Sequence, residues 1–134
     1  MTGTGPPPGE VMDDDTLTIA TAMDHGVLVV RPTGRLVWNT AAIWHSWLET
    51  LPQGRPDGPV LIDLAELAFL DATGVSCLIN AHRHLTGPGT AVAFARPGAR
   101  VTRWLQITGL PTLLPVFDTT EAALRSLLPP MVTP

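Results

Sequence analysis

The sequence predicts a small α/β domain, a mixed, mostly parallel sheet with about four helices packed on it. Three observations lead there. Short apolar or alternating runs take turns with segments of helical period. One of those runs, Val60-Leu61-Ile62-Asp63, is almost continuously apolar, as in a strand covered on both faces. The chain has 134 residues and is 45% hydrophobic, the size and composition of one ordinary core.

The elements follow in order. Residues 1–15 are rich in Gly, Pro and acid and hold little that could be buried, so they predict a disordered tail. Residues 16–128 form the domain, and 129–134 a second flexible tail. Residues 16–23 alternate with period two, 26–34 are β-branched, and Asp24-His25-Gly26 between them is a hairpin signal. Residues 39–51 suit a helix capped by Asn39 or Thr40, with Ala41, Trp44, Trp47, Leu48 and Leu51 on one face. A Pro/Gly-rich loop leads to the strand 60–63, then to a short connection that ends extended.

Residues 73–85 predict the next helix, with Thr73 as its N-cap and Val75, Leu78, Ile79, His82 and Leu85 inward; Gly87-Pro88-Gly89 stops it. Residues 90–95 form a strand. Residues 97–110 form a helix that turns Val101, Trp104 and Leu105 inward and stops at Gly109. Residues 113–117 make a weak strand, which Pro115 places at an edge, and 118–128 a last helix capped by Thr119 or Asp118.

Composition excludes several function classes. The formal net charge is −4, and Glu10, Asp13, Asp14 and Asp15 account for it, since eight later acids balance eight arginines. A near-neutral domain has no nucleic-acid footprint. The chain has no lysine, so neither a P-loop nor a Schiff base is available. No apolar run is long enough to span a bilayer, and the first residues are no signal peptide, which predicts a cytoplasmic protein without membrane insertion. Cys77 is the single cysteine, so no internal disulfide forms. Cys77 reads as a small buried residue, and Trp44, Trp47 and Trp104 as core; Trp38 has no clear place. His82 and His84 diverge on a helix, and His25 and His45 lack partners at ligand spacing, so no metal or other cofactor is expected.

The remaining chemistry lies in Phe69-Leu70-Asp71-Ala72-Thr73-Gly74-Val75-Ser76, where a strand runs into a helix. A Thr73 hydroxyl there can cap the helix. It can also accept a phosphate, which free N–H groups and the helix dipole would favour. The lone Asp71 does not make a two-carboxylate protease site.

The run from Val60 to Leu85, "VLIDLAELAFLDATGVSCLINAHRHL", resembles the signature of STAS domains, the anti-sigma factor antagonists and their relatives. The strand and helix of 26–51 and the segment 94–124 resemble the same family in order and spacing. The resemblance implies a non-enzymatic module that binds a serine/threonine-kinase anti-sigma factor and so frees a sigma factor for transcription. It implies that the kinase switches the module off by phosphorylating Thr73, with Ser76 a weaker acceptor, and that a PP2C-type phosphatase reverses the step. The partner surface would centre on Asp71, Ala72, Thr73, Gly74, Val75 and Ser76.

Two departures stand out. Ala72 replaces a frequent hydroxyl, leaving Thr73 the one acceptor in the motif, and Gly34-Arg35-Leu36-Val37 lacks an acid that members often carry. Two other readings compete: a STAS accessory subunit docked on an ABC-type lipid transporter, and a small α/β enzyme using Asp71 and Thr73.

Overall fold

A two-residue turn starts the fold. Strand β1 (Leu17–Asp24) pairs antiparallel with β2 (Val27–Leu36), and Asp24 faces Val27 across the hairpin. His25 and Gly26 between them have φ of 52° and 84°. Positive φ at both central residues matches the right-handed twist of the strands it joins. The computed structural model describes residues 16–51, 58–86, 90–108 and 114–127. The expected tails, the loop 52–57, the stops at Gly87-Pro88-Gly89 and Gly109, and the end at 128 lie outside the described residues.

The other described elements are α1 (Ala41–Glu49), β3 (Val60–Asp63), β4 (Leu67–Leu70), α2 (Ala72–Leu85), β5 (Val92–Ala95), α3 (Ala99–Thr108), β6 (Val116–Phe117) and α4 (Thr120–Leu127). The sheet order is β1-β2-β3-β5-β6, and every pairing after the first is parallel. The fold is therefore the expected α/β arrangement, with β6 at an edge as Pro115 required. Residues 65–70 are the expected connection that ends extended, and its extended part, Leu67–Leu70, is a strand paired with β2. The reason is length. β2 has ten residues and β3 four, so the second half of β2 takes β4 as its partner.

Two apolar layers hold the sheet. Leu36, Trp44, Ile62, Leu70, Leu78, Phe94 and Leu105 belong to a core between one sheet face and α1, α2 and α3. Val27, Val29, Leu61, Ala93, Ala95, Ala123 and Leu127 form a smaller one beneath α4. β3 and β5 are buried at every position, as the continuous apolar run of β3 requires. Thr119 Oγ1 accepts from the Ala122 N–H at 3.0 Å and caps α4. Thr40 precedes α1 without capping it through its side chain. Its Oγ1 turns back to accept from the Val37 N–H at 2.9 Å and to donate to the Arg35 carbonyl at 2.8 Å. His82 is half-buried, with its ring 6.3 Å from that of Phe94, and burial lowers its pKa.

One carboxylate lies wholly inside. Asp63, at the end of β3, shares the face of Leu61 and has no exposed surface. Its oxygens accept from Arg96 Nε and Nη2 at 3.1 and 2.7 Å, from Arg31 Nε at 3.1 Å and from the Ala65 N–H at 3.2 Å. Burial pushes its pKa up, and these hydrogen bonds with the Arg96 charge outweigh burial, so the net direction is down. A group whose folded pKa is depressed adds stability that is complete above its unfolded value. That contribution disappears as pH falls below the ordinary 3.8 and through the folded value. Asp63→Asn is expected to cost about 1–3 kcal/mol at neutral pH. It should also flatten this acid limb, which urea midpoints measured against pH would show.

Candidate functional site

The junction of β4 and α2 is built by one aspartate. Asp71 stands just before α2 with extended backbone, φ −112° and ψ −168°. Its Oδ1 accepts from the Gly74 N–H at 2.9 Å, satisfying a helix donor that no carbonyl in the helix can reach. Its Oδ2 accepts from the Trp38 N–H at 3.1 Å, in the loop between β2 and α1. The Asp71 N–H donates to the Leu36 carbonyl at 3.4 Å. One residue thus joins the end of β2, the start of α1 and the start of α2.

This corrects the expected cap. Asp71, not Thr73, is the N-cap, and α2 begins at Ala72. Aspartate caps at least as well as threonine, and from here its carboxylate reaches the amide three residues on. Thr73 is the second residue of the helix and half-buried. Its hydroxyl is therefore not needed to satisfy the helix end.

The six expected surface residues divide by burial. Ala72 and Ser76 are exposed, and Asp71 and Thr73 are half-buried. Gly74 and Val75 are buried, so they support this surface from beneath. Gly74 is glycine because α2 presses on β2. A Cβ there would collide with the Leu36 carbonyl oxygen and lie 2.8 Å from Leu70 Cβ. Such contact with backbone cannot relax by a rotamer change.

Cys77 is buried in the core, and Trp44 Nε1 donates to its carbonyl at 3.0 Å. Burial, then the Asp71 charge, pushes its thiol pKa up to about 11, the opposite of a reactive cysteine. His84 Nε2 lies 3.3 Å from the Leu51 carbonyl, on the side of α1. Among the described residues no group of three or more His, Cys, Asp or Glu is placed to hold a metal ion. No described helix is long and apolar enough to cross a membrane.

Two features escaped the sequence pattern. The Asp63 cluster joins residues 32 and 33 positions apart. Trp38 is tied to Asp71 across 33 positions and is 73% exposed. Only the unusual presence of a tryptophan in a polar loop pointed to it.

A mixed sheet with helices on both faces, and Asp71 and Thr73 half-buried where β4 runs into α2, define a small α/β module. The STAS domain family matches residues 18–123, and the chain belongs to that family. It is 27% identical over 107 residues to the anti-sigma F factor antagonist of Paenibacillus polymyxa, covering 78% of this chain and 92% of that protein. The crystal structure of an anti-sigma factor antagonist from Mycobacterium paratuberculosis superposes with a TM-score of 0.76 at 26% identity, covering 84% of this chain and 95% of the other. The Bacillus cell fate determinant SpoIIAA in its phosphorylated form shares the fold, with a TM-score of 0.60 at 18% identity, over 83% of this chain and all 100% of that one.

Removing the constraints at the junction has ordered consequences. Gly74→Ala should destabilise by at least ~2 kcal/mol, because α2 must move off β2. Asp71→Ala should cost about 0.5–2 kcal/mol, the usual loss of a helix cap. Denaturant titration of the two variants beside the parent tests the order. A fully stable Gly74→Ala would contradict the close approach.

Proposed function

We propose that this chain is an anti-sigma factor antagonist that binds a serine/threonine-kinase anti-sigma factor, frees a sigma factor, and is switched off by phosphorylation of Thr73. A PP2C-type phosphatase would return it to the binding state. The protein itself performs no catalysis in this cycle, and its setting would be the cytoplasm. The observation that carries the reading is the position of Thr73. Thr73 stands in the first turn of α2, half-buried, and Asp71 relieves it of capping. Modification there leaves the bonds that hold the junction in place.

The electrostatics favour a switch over an unfolding event. A phosphate adds about −1.5 to −2 charge at neutral pH. The helix dipole and the N–H groups of the first turn attract it. The Asp71 carboxylate repels it. These terms oppose one another, and a phosphate on Thr73 has exposed Ala72 and Ser76 as neighbours along the chain. A docking partner that covers these residues then meets bulk and charge that it would have to desolvate. Spoiling one central contact of this kind weakens binding by about 2 kcal/mol or more. The relatives named as anti-sigma factor antagonists, and the phosphorylated form of SpoIIAA, support the same reading.

Both Asp71 oxygens hold backbone N–H groups that build the junction. That structural duty favours the binding module over the small enzyme. The deciding experiment is incubation with ATP and the serine/threonine-kinase anti-sigma factors of the source organism. Mass spectrometry of the product should place one phosphate on Thr73. Thr73→Ala should accept none, and Ser76→Ala should be phosphorylated as the parent is. No phosphate from any kinase, together with stable co-purification with an ABC transporter ATPase, would overturn the reading in favour of the transporter subunit.

A further inference from the structure

Trp38 is the most exposed large hydrophobic side chain among the described residues. It does not hang on a loose loop. Thr40 Oγ1 accepts from the Val37 N–H at 2.9 Å, and the Thr40 N–H donates to the Val37 carbonyl at 3.0 Å. Val37 and Thr40 are buried on either side of it, at 5% and 1% exposure. The Trp38 N–H is held by Asp71 Oδ2. The backbone is therefore fixed and the indole is directed outward. An aromatic ring on a fixed backbone loses little entropy when it is covered. Tryptophan is also the residue type most enriched among side chains that dominate binding.

The bond to Asp71 also sets where the Trp38 backbone stands. The carboxylate that holds Trp38 is the cap of α2, two residues before Thr73. A partner that covers the first turn of α2 lies next to the loop that carries this ring. The loop therefore extends the Thr73 surface across to the start of α1.

We propose that Trp38 is the apolar anchor of this docking surface, inserting its indole into an apolar pocket of the kinase that phosphorylates Thr73. The proposal rests on the functional reading given above. It assigns that partner an apolar cavity facing the β2–α1 loop, beside the groups that reach Thr73. Asp71 is the positioning residue, because it holds the ring and the phosphoacceptor in one frame.

The test is calorimetric titration of the full chain with the cognate kinase-type anti-sigma factor. Trp38→Ala should weaken binding about 30-fold or more, the loss typical of a buried aromatic anchor. Trp38→Phe should recover most of that loss. Thermal denaturation should leave both variants at the parent's midpoint, because the side chain packs on little and the bond to Asp71 comes from the backbone. The parent's tryptophan emission should shift to the blue on binding, and Trp38→Phe should lose that shift. If the parent binds and is phosphorylated at Thr73, but Trp38→Ala binds equally well, the anchor is overturned and the functional reading stands. If the parent binds no kinase, both fall.

Discussion

The Asp71 carboxylate is the constraint on which the site depends. Its two oxygens are divided between the Gly74 N–H in α2 and the Trp38 N–H before α1. A carboxylate accepting two backbone donors fixes both partners, since losing either bond leaves a polar group to be satisfied elsewhere. Behind it, Gly74 brings the backbone of α2 against the Leu36 carbonyl. The close approach sets the height of the helix above β2, and the carboxylate sets its rotation and its link to the neighbouring loop. Thr73 is then presented without being consumed by the architecture. A residue that must cap a helix is a poor place for a reversible modification, and Asp71 removes that duty from Thr73.

The second commitment of polar groups is Asp63, on the far side of the sheet. It lies inside, but its arginines, Arg31 and Arg96, are about half-exposed. The charge thus has close partners that themselves stay solvated, which avoids the full desolvation of a buried pair. Arg96 adopts a φ of 57° as the chain leaves β5. That left-handed turn is uncommon for a residue other than glycine. The hydrogen bonds to Asp63 accompany it, so the middle of β2 and the ends of β3 and β5 are tied at one point. This cluster stabilises the sheet that carries the junction, and it lies on the α4 face, away from Thr73.

Periodicity made most of the fold legible. The hairpin, the apolar strand β3, the inward face of α1 and the edge position of β6 all follow from local pattern. The strand β4 was less legible, because it exists only to pair the long half of β2 that β3 cannot reach. The cap of α2 was ambiguous for a local reason: Asp71 and Thr73 are both good capping residues, and the pattern leaves the choice to the backbone. The Asp63 cluster and the Trp38 bond could not be read locally. Each joins residues more than thirty positions apart, and neither Asp63 in an apolar run nor Trp38 in a loop names its partner. The position of Thr73 was legible through the STAS signature, whereas its release from capping required the geometry.

The central claim is that one surface, held together by Asp71, meets the partner. Nuclear magnetic resonance of the ¹⁵N-labelled chain, titrated with the unlabelled kinase-type anti-sigma factor, tests it most directly. The account predicts that the largest amide perturbations fall on Trp38, on Asp71 to Ser76 and on the first turn of α1. Residues of α4 and the exposed positions of β1 should change little. Perturbations centred on α4, on the Arg31 and Arg96 side of the sheet, or along β1 would contradict it.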